Sequence, residues 1–404
     1  MSIKNKILIF IAIIAIVMVV QFFMHSRAQD HITRFETTGH GVTYDFDASP
    51  SFYSNNSQFF FHATRDSMRS LRSDATVRWT APLSLNRPIM VARGDIVAVG
   101  EQSGGRRVYV FDNDGLLFRR DFAHPVVSFF VNESGILAVI VQYASGHGIY
   151  VFDQGTVAAN RAMFSMAIHE NLRYPTSVEV SADGRYIAVA ILDLNTRLST
   201  TVQFRYINEE DARGTVGGLF SSETFYGQII HTMRFMEGHR LVIATTSQIV
   251  CHQITRGNHA VSTQREVWDI QLNNVLSAIE FYNNRYFVFV TGDRHAGAVD
   301  ASPVGTVYIV NASGDTVGEY SIGRRVTHLS LGHRTVLVGA DRNFHAIDFR
   351  GQHIWEHNAL FDTRTVIFLG NTNTILVAGA NRAEIHTRNR IRVNDFGNFT
   401  LEVD

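Results

Sequence analysis

The chain of 404 residues contains one cysteine, Cys251. That excludes an intrachain disulfide and any Cys-based zinc site. At Cys251 the expectation is a small buried hydrophobe on a strand. Lysine is almost as scarce: Lys4 and Lys6 are the only two, and the other 34 basic residues are arginine. An excess of either charge is also missing. The formal charge is −1, so nothing drives the chain toward nucleic acid. Beyond residue 24 no stretch of twelve residues has helical periodicity. The sequence holds no Gly-x-Ser-x-Gly elbow, phosphate loop or dinucleotide fingerprint. It therefore assigns no catalytic, cofactor-binding or metal-ligating residue, and it does not say which molecule the protein acts on.

What is present begins with an apolar run. Ile7 to Met24 is nearly unbroken hydrocarbon, with Gln21 its only polar side chain. As a helix it would span about 27 Å, close to the ~30 Å core of a bilayer. The run ends in Phe22-Phe23-Met24 and then His25-Ser-Arg-Ala-Gln, a poor signal-peptide cleavage site. An uncleaved transmembrane anchor over 7–24 is expected. The tail 1–6 carries Lys4, Lys6 and the α-amino group and no acid, which keeps it in the cytoplasm. Beyond the tail, 34 arginines stand against 37 acids, so the remainder carries −3. Residues 25–41 read as a stalk, 42–393 as the folded domain and 394–404 as a tail.

From Val42 onward, short runs of Val, Ile, Phe and Tyr alternate with Gly, Asn and Asp, the pattern of strands and turns. One phrase recurs: strand, Asp or Asn, Gly turn, strand. It reads Arg107-Val-Tyr-Val-Phe-Asp-Asn-Asp-Gly115, Gly148-Ile-Tyr-Val-Phe-Asp-Gln-Gly155, Thr306-Val-Tyr-Ile-Val-Asn-Ala-Ser-Gly314 and Phe344-His-Ala-Ile-Asp-Phe-Arg-Gly351. Laid in phase at roughly forty-residue spacing, these hairpins define eight units of about four strands, the signature of an all-β propeller. The first unit runs from Val42 to Thr80 and the eighth holds Thr365 to Val393. Eight blades follow, or seven if the first and last strands share a blade. A pair of β-sandwiches would also show many short strands, but not an in-phase repeat.

His345-Ala-Ile-Asp-Phe-Arg-Gly-Gln-His-Ile-Trp355 resembles the Ala-x-Asp-x-x-Gly-x-x-x-Trp blade of quinoprotein-like propellers, and Ser73 to Trp79 is a worn copy. Pro175 to Val189 is similar to the Ser-x-Asp-Gly blade of WD40-like and TolB-like propellers. On an N-terminal anchor, this mixture resembles a bacterial family of membrane-anchored propellers of unknown function. The resemblance implies fold and topology: the Trp docks between blades, and Asp and Gly make the turn. Quinoproteins of this type also carry a vicinal cysteine pair beside the cofactor. Cys251 stands alone between Val250 and His252, so no quinone is expected.

Other candidates have plain structural explanations. Asp112-Asn-Asp-Gly115 looks like a calcium loop, but Leu116, Leu117 and Phe118 follow where ligands are needed, so a hairpin turn is expected. His231 and His239 flank Glu237. His353-Ile-Trp-Glu-His357 has zinc-protease spacing with the Glu misplaced, and in a strand its two histidines would lie about 13 Å apart. Asn55, Asn132, Asn311 and Asn398 match the glycosylation pattern, as chance allows in a chain rich in Asn, Ser and Thr. The longest irregular inserts are Asp193 to Thr201, Ile207 to Gln228 and Gly292 to Gly305. Propellers recognise partners through such loops. The expectation is a membrane-anchored, extracytoplasmic binding or scaffolding module for a protein or cell-wall ligand, without cofactor or metal. The alternative is an envelope hydrolase or lyase with its site at the channel mouth. Convergent acids and histidines on one face would favour the enzyme, and an apolar or aromatic rim the binder.

Overall fold

The computed structural model describes residues 31–44, 51–54, 59–101, 104–169, 172–195, 197–208, 210–213, 215–256, 262–292, 305–393 and 399–402. The expected anchor over 7–24, most of the insert Gly292 to Gly305, and Asn55 and Asn398 lie outside the described residues. Among the described residues no helix is long and apolar enough to cross a membrane.

Eight antiparallel sheets follow one another along the chain. Seven are four-stranded meanders of consecutive strands: blade 1 over 51–82, blade 2 over 88–121, blade 3 over 126–168, blade 4 over 173–226, blade 5 over 230–271, blade 6 over 275–321 and blade 7 over 328–358. The eighth sheet has the order His31–Thr43, Arg382–Val393, Asn371–Ala378, Thr365–Leu369, so the first strand of the chain completes the last blade. The chain divides into two compact units, residues 40–385 and residues 1–39 with 386–404. In the second unit, Phe399–Glu402 pairs with the end of Arg382–Val393 in the register Arg390↔Glu402.

Burial explains why each blade has this internal order. The second strands, such as Leu137–Gln142 and Thr335–Ala340, are almost wholly buried, because both of their faces meet a neighbouring blade. That is why they read as continuous apolar runs. The outermost strands, such as Thr263–Gln271, are mostly exposed. The hydrophobic clusters lie between blades. One joins Val108, Val110 and Phe118 of blade 2 to Phe129, Leu137 and Val139 of blade 3. Another joins Phe204 and Tyr186 of blade 4 to Met233 and Ile243 of blade 5. A lone blade would leave both apolar faces in water, at about 1.5–3 kcal/mol for each large side chain, so the closed array is the stable unit.

The ring closes through the residues just before blade 1. The Tyr44 amide donates to the Asn381 carbonyl at 3.1 Å, and the Tyr44 hydroxyl reaches the Gly379 and Arg382 carbonyls, each at 2.9 Å. Val42 packs with Phe60 of blade 1 and Ile385 of blade 8. First and last strands thus share a blade, as the seven-blade alternative required, yet eight blades result. The unit expected to begin at Val42 starts at Ser51, which frees Val42 for blade 8. The stretch 25–41, expected as a stalk, contains most of the strand His31–Thr43.

The repeated turn behaves as expected in three blades. The Asp112 carboxylate accepts from the amides of Asp114 and Gly115, at 2.8 and 3.0 Å, which makes 112–115 a hairpin turn. Asn311 accepts from Ser313 and Asp315, and Asp348 from Arg350 and Gln352. The fourth copy departs. Asp153 caps a one-turn helix, Gln154–Ala158, by accepting from the Thr156 amide at 2.6 Å, so Gly155 is helical and no hairpin forms there. Thr156 supplies the reciprocal half of the capping box, which the other three copies lack.

All three tryptophans occupy one position in their blades. Trp79, Trp268 and Trp355 each follow a bulge in the outer strand, where Arg78, Val267 and Ile354 are skipped in the pairing. The bulge re-aims the ring toward the next blade. Trp79 stacks on Phe111 and donates to the Asn113 carbonyl at 2.9 Å, and Trp268 stacks on Phe287 and donates to the Ala312 carbonyl at 3.2 Å. Cys251 is fully buried between blades 5 and 6, and burial pushes its thiol up to about 12.

Candidate binding surfaces

The innermost strands surround a central channel. A cavity of about 650 Å³ occupies it, lined among others by Tyr53, Arg93, Glu133, Arg234, Glu280 and Tyr282. Its charges come from different blades and reach across the opening. Arg93 of blade 2 approaches Glu179 of blade 4 at 3.9 Å. Arg234 of blade 5 lies 3.7 Å from Glu133 of blade 3 and donates to Asn284 of blade 6 at 3.3 Å. Asn284 in turn donates to Glu133 at 2.6 Å. Burial pushes the Glu179 carboxyl up to about 7, against the opposing pull of Arg93. Glu280 meets the channel solvent but is ringed by protein; that burial raises its pKa too, again opposed by Arg93.

In an antiparallel meander, turns from first to second strands lie at one end of the ring and turns from second to third strands at the other. At the first end a depression of about 630 Å³ is lined by Asp95, Glu133, Asp183, Glu237, His239 and Asn283, among others. His239 Nε2 lies 3.0 Å from Asp183 Oδ2. Burial raises the Asp183 pKa, but the Ser181 hydroxyl, the Arg185 amide and His239 outweigh it and hold the carboxyl below its usual range. Ser181, Asp183 and His239 have the composition of a hydrolytic triad but not its order. The Ser181 hydroxyl donates to Asp183 at 2.6 Å and accepts from the Tyr186 amide, so its proton is directed at the carboxylate and not at the imidazole. A nucleophile needs its proton taken by the base. This set is a tied turn in which Glu237 is likewise held by Arg285, at 2.6 Å.

The opposite end of blade 4 has a different character. Leu172, Tyr174, Leu194, Leu198, Tyr226 and Ile229 are exposed there, Tyr226 to 64%. Their adjacency is fixed by the backbone: the Leu194 amide donates to the Leu172 carbonyl at 3.0 Å, and the Gly227 amide to the Leu198 carbonyl at 2.7 Å. Leu192 pairs with Tyr174 and Ser199 with Tyr226. Arg197 lies over the Tyr226 ring at 5.8 Å. These residues form one apolar rim, and its centre is the insert Asp193 to Thr201, whose described irregular residues are 194–195 and 197–198. The insert Ile207 to Gln228 proves shorter than expected, because Leu219–Tyr226 is the outer strand of the blade. Sequence patterning pointed to the insert but not to the rim, since the six side chains come from three separate segments.

The remaining candidates separate. His231 opens the inner strand Ile230–Met236 and His239 follows its far end, about 20 Å away at strand rise, so they do not meet. Asn132 is buried and donates to the Ser181 carbonyl at 2.9 Å, which closes it to glycosylation. His353 and His357 lie on one strand, His353–Asn358, as expected.

A family model matches residues 35–386, nearly the whole ring. The chain belongs to DUF5711, a family of unknown function. Among solved structures, this DUF5711 member is similar to the C-terminal WD40 domain of Sif2, at 10% identity over 87% of this chain and 98% of that one, with a TM-score of 0.54. BamB from Moraxella catarrhalis matches at 14% identity over 88% of this chain and 100% of that one, with a TM-score of 0.47. Hydrazine synthase from Kuenenia stuttgartiensis matches at 12% identity over 91% and 99%, with a TM-score of 0.40. Comparison with curated proteins returns no match. The Sif2 likeness supports the propeller fold, and at that identity it carries no activity across.

Proposed function

We propose that the protein is a binding or scaffolding module of the cell envelope, held there by residues 7–24, with the tail 1–6 in the cytoplasm and the propeller outside. The apolar rim of blade 4 carries this reading. Six large hydrophobic side chains in one exposed strip are costly in water and suit a protein partner that covers them. The anchor then raises the effective concentration of such a partner at the membrane. A photo-crosslinking residue at position 198 should trap one reproducible protein in intact cells, and Tyr226→Ala should abolish the adduct. The same probe at position 216, in the turn at the other end of blade 4, should give none. Equal adducts from both positions, or none from either, would refute the rim as the docking surface. Topology has its own test. Cys251 is fully buried, so Val216→Cys supplies the single accessible thiol among the described residues. A membrane-impermeant maleimide should label it in intact cells.

A second reading, an envelope hydrolase or lyase acting on glycan or peptide, draws on the protonatable Glu179 and Glu280 in the channel. Turnover of a cell-wall fragment that is lost in Glu280→Gln would establish it in place of the first.

A further inference from the structure

The outer face of blade 7 gathers three metal-ligating side chains from two strands. Asn343–Asp348 and His353–Asn358 are antiparallel, with His345 opposite Glu356. In a regular strand His353 and Glu356, three apart, would point to opposite faces. The bulge prevents this. Ala346 pairs with Trp355 and Ile347 with His353, so Ile354 is the extra residue and the alternation slips by one. His353 and Glu356 therefore share the face on which His345 lies. A nitrogen of each histidine and a carboxylate oxygen of Glu356 all fall within 4.8 Å of one another.

Neighbours orient two of the three. Tyr320, on the outer strand Thr316–Ser321 of blade 6, lies with its hydroxyl 2.9 Å from His345 Nδ1. When Nδ1–H donates to that oxygen, the Nε2 lone pair is free for a metal. Asn343 donates to Glu356 Oε1 at 2.7 Å and leaves Oε2 available. His353 and Glu356 are exposed, so an ion has an entry path.

We propose that His345, His353 and Glu356 form a binding site for one divalent transition-metal ion of the zinc type. Two imidazoles and one carboxylate suit zinc and its neighbours, whereas calcium and magnesium prefer oxygen alone. Three protein ligands leave a fourth position for water or a donor from a partner. The site lies at the seam of blades 6 and 7, and Tyr320 is a positioning residue, since it acts through His345.

The test is equilibrium dialysis of the full chain in detergent against zinc chloride. The expected result is one tight zinc ion per chain. Binding should fall at least tenfold in His353→Ala and in Glu356→Gln, and about tenfold in Tyr320→Phe, with unchanged circular dichroism. His124→Ala, in the linker between blades 2 and 3, should bind as the unaltered chain does. Zinc should also raise the melting temperature of the unaltered chain and not that of His353→Ala. The absence of a tight zinc ion, or binding that survives both His353→Ala and Glu356→Gln, overturns the proposal.

Discussion

Asn284 of blade 6 donates a hydrogen bond of 2.6 Å to Glu133 of blade 3, across the channel of the ring. With Arg234 it forms a triangle that ties blades 3, 5 and 6 together at one mouth. Asn284→Ala should remove the shared partner of Glu133 and Arg234 and destabilise the ring by about 1–2 kcal/mol. Urea unfolding checks this. Glu133→Gln keeps an oxygen for Asn284 and should cost less.

Glu179 has a native pKa near 7, raised by burial from an ordinary 4.5. A raised pKa means the native state binds the proton more tightly than the unfolded one. The resulting stability is fully present below pH 4.5 and is lost as pH rises to about 7. Glu179→Gln should flatten the profile in that window. Above it, the variant should be more stable than the parent by up to about 3 kcal/mol. Denaturation midpoints from pH 4 to 8, compared between the two proteins, measure the effect.

Trp268 lies on Phe287 of the next blade, and Gly314 sits against its ring. Trp268→Ala should cost about 3 kcal/mol by opening a cavity between blades 5 and 6. Gly314 has φ +88°, and a Cβ there would lie 2.7 Å from the indole. Gly314→Ala should therefore destabilise by more than 1 kcal/mol, roughly the strain alone. Thermal unfolding of both variants and of their combination tests the coupling: in the absence of the ring, the cost at position 314 should fall.

Tyr44 closes the ring with its hydroxyl between two carbonyls of blade 8. Burial pushes its pKa up to about 12, with Arg364 opposing. Tyr44→Phe should cost about 1 kcal/mol. Limited proteolysis near residues 379–385 should speed up in that variant, because the first strand is held less firmly on the last blade.

The architecture was legible because it repeats. Continuous apolar runs such as Leu137–Gln142 mark strands buried on both faces, and Asp or Asn followed by Gly marks turns whose hydrogen bonds are local. Local physics decides both, so the sequence carries them. The same logic misled at Asp153, where one Thr at 156 diverts the turn into a helix cap. It misled again at Val42, whose partner Ile385 lies at the far end of the chain.

By itself, then, the sequence determined an all-β array of eight four-stranded units, the lone buried cysteine and the absence of a recognisable catalytic motif. The tertiary structure decided which strand closes the ring, which charges meet across the channel, and that six exposed side chains at one end of blade 4 form one apolar rim. It also decided that His353 and Glu356 face the same way, through a bulge at Ile354 that strand alternation alone would have denied. The division has one physical cause. Turn geometry and strand burial are set by neighbours in sequence, whereas a rim, a cross-channel bond or a ligand set needs groups that only ring closure and strand register bring together.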